Sequence, residues 1–100
     1  MIERNEFRIR FGRMKEALAL WKEITNEFKA NKSDIEVRIM TDLTGPAYTL
    51  ILELKLRDFA HMAAKNEQWG AMPKAAELYQ QFVPLCESSV RTLYKVEFDN

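Results

Sequence analysis

The stretch Asp34-Ile-Glu-Val-Arg-Ile-Met-Thr-Asp-Leu-Thr-Gly-Pro-Ala-Tyr-Thr-Leu-Ile-Leu-Glu-Leu-Lys-Leu-Arg57 holds two runs of alternating apolar and polar residues around a turn. Period-two alternation describes a strand with one buried face. Gly45-Pro46 lies between the runs, where a central strand would not accept proline. Charge selects the register. If Met40 faces Ile51, the loop is Thr44 to Ala47, and Arg38 meets Glu53, Glu36 meets Lys55 and Asp34 meets Arg57. The opposite face then pairs Ile39 with Leu52, Val37 with Leu54 and Ile35 with Leu56. A two-residue slip sets Arg38 against Lys55 in one direction and Glu36 against Glu53 in the other. Directly opposed pairs contribute roughly 0.2–1 kcal/mol each, so three agreeing pairs outweigh either slip. A one-residue slip would turn the leucines to solvent.

Working outward, Phe7, Ile9 and Phe11 alternate with Arg8 and Arg10, which predicts a first strand ending at Gly12. From Met14 the period lengthens: Met14, Ala17, Leu18, Trp21, Ile24 and Phe28 form the apolar stripe of a helix that Asn31-Lys32-Ser33-Asp34 closes. Beyond the hairpin, Asp58 is a natural N-cap. The helix after it carries Phe59, Met62, Asn66 and Trp69 on one side and His61, Lys65 and Gln68 on another, until Gly70. Pro73 suits the first turn of a third helix with an apolar stripe of Ala75, Ala76, Tyr79, Phe82 and Val83, which Pro84 bends or ends. Val90, Thr92, Tyr94, Val96 and Phe98 alternate with Arg91, Leu93, Lys95 and Glu97 and predict the last strand, its first set buried. The order is βαββαβ with an extra helix before the last strand. Four antiparallel strands with the helices on one face bury every stripe, a ferredoxin-like α+β arrangement. No repeat or linker interrupts residues 1–100, which read as a single domain.

A chain of 100 residues with 47% hydrophobic and 30% charged residues can bury a core of its own. Fifteen basic and fifteen acidic residues leave no net charge, which argues against non-specific nucleic-acid binding and polybasic membrane docking. Neutrality also favours self-association. The lone Cys86 asks for no oxidising compartment, and the charged start Met1 to Glu6 has no apolar run behind it. No apolar stretch approaches the roughly 20 residues of a membrane span. A cytoplasmic protein is the expectation.

The stretches Arg38-Ile-Met-Thr-Asp-Leu-Thr-Gly45 and Tyr48-Thr-Leu-Ile-Leu-Glu53, with Phe82-Val-Pro-Leu85 and Arg91-Thr-Leu-Tyr94 after them, resemble small members of the dimeric α+β barrel superfamily. The resemblance is to its NIPSNAP-like and antibiotic-biosynthesis-monooxygenase-like group. It implies a homodimer in which two four-stranded sheets face each other with the helices outside. That group includes cofactor-free monooxygenases, haem-handling enzymes and proteins of no known activity, so it assigns no catalytic set. The open face is expected to show Arg8, Arg10, Glu36, Arg38, Glu53, Lys55, Arg91, Lys95 and Glu97 around Met40, Ile51 and Leu93. A wet dimer interface with paired charges suits that list, as does a plain solvated face.

Candidate chemistry is sparse. His61 is the only histidine; its place on the polar side of its helix suits a surface residue or a pocket mouth. No cysteine or second histidine joins it as a metal ligand, and no cofactor is expected; haem ligation by His61 follows only from the resemblance. Trp21, Tyr48, Trp69, Tyr79 and Phe82 fill a core or line an apolar cavity for a small aromatic ligand. Tyr48, His61, Trp69 and Tyr79 are the ligand-binding candidates, the tyrosines because a buried hydroxyl wants a partner. Asp42 beside Thr44-Gly45 reads as turn chemistry before catalysis, Cys86 has no neighbouring base, and Ser88-Ser89 lacks a nucleophile-elbow pattern. An RNA-recognition module shares the strand order, but Thr49, Ile51, Glu53 and Lys55 offer no aromatic ring to stack a base.

Two functions from different classes follow. A small-molecule binder or cofactor-independent oxygenase requires a cavity of some hundreds of Å³ with at least two convergent polar groups. A non-catalytic dimeric module requires only a filled interior.

Overall fold

The computed structural model describes residues 1–100. Its elements are β1 (Ile2–Ile9), α1 (Met14–Ala30), β2 (Glu36–Thr41), β3 (Thr49–Lys55), α2 (Phe59–Gly70), α3 (Pro73–Phe82), a 3-10 turn (Val83–Leu85) and β4 (Cys86–Tyr94). The strands form one antiparallel sheet in the order β2-β3-β1-β4, the expected ferredoxin-like α+β arrangement.

The hairpin has the register that its charges select. Glu36 faces Lys55, Arg38 faces Glu53 and Met40 faces Ile51. Arg38 approaches Glu53 at 3.4 Å, Lys55 approaches Glu36 at 3.9 Å, and Arg57 closes on Asp34 at 2.6 Å. Glu53 also faces Arg4 of β1 at 3.9 Å, so one carboxylate lies between two guanidinium groups on the sheet's open face.

The turn is held by its own side chains. Tyr48 sits at φ +61, a region that costs an L residue about 1–2 kcal/mol. Asp42 Oδ1 accepts from the Thr49 N–H at 2.9 Å and the Thr49 hydroxyl donates to the Pro46 carbonyl at 2.8 Å. Asp42 is thereby a turn-closing residue.

Helix ends follow local chemistry. Asp58 caps α2 by accepting from the His61 N–H at 2.8 Å, and Pro73 opens α3. Pro84 falls in the 3-10 turn that ends the third helix. The core joins Phe7 and Ile9 of β1, Leu50, Leu52 and Leu54 of β3, Ala17, Leu20, Trp21 and Ile24 of α1, and Ala75, Leu78 and Phe82 of α3. Leu50, Ile24 and Phe82 are fully enclosed, and truncating any one to alanine costs about 2–5 kcal/mol.

Four elements depart from the sequence expectation. In α3 the buried face is Ala75, Leu78 and Phe82, while Val83, expected in the stripe, lies past the helix and is 46% exposed. β1 begins at Ile2 rather than Phe7, and Phe11 lies outside it, 85% exposed. Extending the Phe7 and Ile9 phase backward turns Glu3 and Asn5 inward, and both are buried. β4 runs from Cys86 to Tyr94, not to Phe98, and its faces are reversed. Asn5 pairs with Arg91 and Glu3 with Leu93, so Arg91 and Leu93 share the helix-covered face, while Val90, Thr92 and Tyr94 share the open one with Glu6, Arg4 and Ile2. A short pattern on an edge strand does not reveal which face the helices cover. Finally, α2 is rolled about its axis: His61 is buried and Phe59 is 68% exposed. With Ala60, Ala63 and Ala64 the helix has no strong apolar stripe to orient it, so polar partners do.

Candidate functional site

The sheet's helix-covered face is divided across its width. One row runs Ile39, Leu52, Asn5, Arg91 and the next runs Val37, Leu54, Glu3, Leu93. The β2–β3 half is therefore aliphatic, and the β1–β4 half carries polar groups. Above it, α1 packs closely on α3, whereas α2 makes few contacts with α1. The gap is a cavity of about 420 Å³.

Its walls are Phe7, Trp21, Phe28, Trp69 and Tyr79, with Ile24, Val37, Leu52 and Leu54 completing the apolar side. The rings form a continuous chain. Phe28 stacks on Trp69 at 5.3 Å, Trp69 meets Tyr79 edge-on at 5.6 Å, and Tyr79 lies 6.1 Å from Trp21. Trp21 is buried in this wall, and its indole N–H has no acceptor. A buried donor without a partner costs about 1–3 kcal/mol.

The polar end is a hydrogen-bonded chain. Lys65 Nζ donates to Glu3 Oε1 at 3.0 Å, Asn5 Nδ2 donates to Glu3 Oε2 at 3.0 Å, and Arg91 Nε donates to Asn5 Oδ1 at 3.2 Å. Burial acts to raise the Glu3 carboxyl, but the Asn5 and Lys65 hydrogen bonds and the charges of Lys65 and Arg91 outweigh it. The net effect holds Glu3 below the ordinary carboxylate value. Glu3 is thus a persistent anion and a weak base.

Of the four sequence candidates, Trp69 and Tyr79 line this cavity; Tyr48 and His61 do not. Tyr48 packs on Phe11 at 5.1 Å beside the hairpin turn. His61 is buried and joins the hairpin base to α2: Nδ1 accepts from the Arg57 N–H at 3.1 Å, which leaves the proton on Nε2 to donate to Asp34 Oδ1 at 2.9 Å. With both ring nitrogens engaged away from the cavity, His61 does not fit a haem ligand. No group of three or more His, Cys, Asp or Glu stands close enough to hold a metal. Cys86 lies outside the cavity, and burial pushes its thiol up to about 11. Glu3, Asn5, Lys65 and Arg91 were not singled out from sequence. The available signal was the backward extension of the Phe7 and Ile9 alternation through Asn5 to Glu3.

Solved structures share this architecture. A NIPSNAP domain protein from Burkholderia xenovorans matches with a TM-score of 0.78 and 22% identity over 99% of this chain and 97% of its own. A NIPSNAP family protein from Agrobacterium tumefaciens matches at 0.80 with 20% identity over 97% and 93%. This chain has the NIPSNAP fold. A further Agrobacterium tumefaciens protein matches at 0.80 with 13% identity over 97% and 94%. At these identities the likeness to the NIPSNAP structures concerns fold alone. No family model matches the chain, and no curated protein does.

Proposed function

We propose that the protein binds a small, largely aromatic molecule in the cavity between α1, α2 and the sheet, and acts as a homodimer joined through its open sheet faces. One observation carries the ligand reading: about 420 Å³ of space with aromatic walls ends in the Lys65–Glu3–Asn5–Arg91 chain. Ligand sites combine a mostly apolar lining with a few placed polar groups in volumes of this order. The fold itself gains little from such groups, because well-packed apolar residues in place of a buried ion pair are often neutral or stabilising.

Monooxygenase-like, cofactor-independent oxidation is the second chemistry this cavity could host. It requires a base to draw a proton from the ligand, and the carboxylate lining the cavity is the weakly basic Glu3. Simple binding is the better-supported reading.

The dimer reading is supported by the open face, where Val90 and Tyr94 are 58% and 50% exposed beside Met40, Ile51 and the Arg38–Glu53–Arg4 ladder. Apolar side chains on the two edge strands flank a central row of paired charges, and that mixture suits a wet protein interface. Light scattering should return twice the 11.8 kDa chain mass, and a monomer at micromolar concentration would end this half. A single cysteine and no helix long enough to cross a membrane suit a cytoplasmic setting.

Thermal denaturation with naphthoates, quinones and flavonoids tests the ligand reading. A ligand at 100 times its Kd should raise Tm by about 10 °C or more. The shift should vanish in Thr25→Trp, which fills the cavity from α1; an equal shift in that variant would move the site elsewhere.

A further inference from the structure

We infer that the cavity selects an amphipathic monoanion, an aromatic carboxylate whose rings lie among Trp21, Phe28, Trp69 and Tyr79 and whose charged end meets Arg91 and Lys65. This deepens the ligand reading above and rests on it. Three ionisable side chains that carry charge at neutral pH line the cavity: Glu3, Lys65 and Arg91. One anion against two cations leaves one positive charge unanswered.

The hydrogen-bond count has the same sign. Each Glu3 oxygen accepts one bond, from Lys65 or Asn5, and the Asn5 carbonyl accepts one from Arg91. Arg91 commits only Nε, so both terminal nitrogens of its guanidinium have no acceptor within the chain. Lys65 commits one of three N–H groups. What remains toward the cavity is a surplus of charged donors, and the guanidinium fork matches a carboxylate's two oxygens. Asn5 acts as a positioning residue: it couples Arg91 to Glu3 across β1 and β4, so the guanidinium is oriented before any ligand arrives. The sheet wall opposite this end is Val37, Leu52 and Leu54, and the other polar lining residues, Thr25, Asn66 and Ser89, are neutral, so no further charged side chain answers a second charge on the ligand. A dianion or a zwitterion would bury one charge unpaired.

Isothermal titration of the full chain with three probes of equal shape tests this: 2-naphthoate, 2-naphthylmethanol and 2-naphthylmethylamine. Naphthoate should bind about tenfold or more tighter than the alcohol, the scale of one charge-assisted hydrogen bond, and the amine should bind weakest. Arg91→Gln, at an exposed edge-strand position, should remove most of that preference while leaving the alcohol's affinity unchanged. Glu3→Gln should strengthen naphthoate binding severalfold, because it deletes the competing anion, although it loosens the fold; a purely structural role for Glu3 would weaken every probe alike. Equal affinity for all three probes would overturn the anion preference and leave the ligand reading standing. Tightest binding of the amine would overturn the sign of the selection, and failure of all three probes to bind would overturn both readings.

Discussion

Lys65 and Glu3, 62 positions apart in the chain, meet at 3.0 Å and join the middle of α2 to the first strand across the cavity. The pair is nearly enclosed, at 12% and 3% side-chain exposure. Its removal by halves is therefore costly. Lys65→Met leaves the Glu3 carboxylate buried without its cation and should destabilise the fold by about 3–5 kcal/mol in urea unfolding at pH 7. The double variant Glu3→Leu with Lys65→Met should recover most of that loss. If the double variant is as unstable as the single, the pair acts through packing rather than charge.

The same carboxylate gives a test of sign with pH. Glu3 lies below its ordinary value of 4.5 in the folded protein, so its contribution is present above that pH and is lost as pH falls below it. In Lys65→Met the unpaired buried carboxyl is raised instead, and protonation relieves it. Between pH 6 and pH 4 the variant should regain stability relative to wild type. A gap that widens over this range would refute the assignment.

Asp34 lies at the hairpin base, where hydrogen bonds from Arg57 and His61 hold its carboxyl down from 3.8 to about 2. A lowered folded value stabilises above the unfolded one and is lost as pH falls from 3.8 toward 2. The stability difference between wild type and Asp34→Asn should be full at pH 5 and shrink progressively below pH 4. A difference independent of pH over that window would assign the effect to shape and not to charge.

Glu36 and Lys55 face each other on the outer edge of the hairpin. Lys55→Glu sets two carboxylates opposite one another and should cost about 0.5–1 kcal/mol; adding Glu36→Lys restores an opposite pair and should return most of it. A double-mutant cycle with no coupling would remove this pair from the forces that set register.

Cys86, its thiol pushed up to about 11 by burial, presents roughly one thiolate in a thousand at pH 8. It should react with Ellman's reagent slowly in the native protein and at the ordinary thiol rate in urea. Rapid native labelling would contradict the burial.

How much was legible in advance differs by element. The hairpin register was written in the chain, because opposed charges and alternating leucines are local, and both of their errors, slip and inversion, carry a visible cost. Asp58, Pro73 and Pro84 likewise announced helix boundaries through groups that act within one turn. The cavity was not legible. Hydrophobic pattern marks burial only where burial is apolar, and Glu3 and Asn5 occupy inward positions of β1 as polar residues, so that half of the strand read as a charged tail. Arg91 was read on the open face and Lys65 on the solvent side of its helix for the same reason. A local rule broken at an inward position is where function is expected to lie.

The sequence by itself thus determined the succession of strands and helices along the chain, the hairpin pairing and the helix boundaries, since each rests on neighbours along the chain or across one turn. Only the tertiary structure decided that β1 lies between β3 and β4 with Glu3 and Asn5 inward, and that α2 rolls to bring Lys65 over them. The reason is that a buried polar group is tolerated only by its partners, and here those partners come from strands and a helix far apart in sequence.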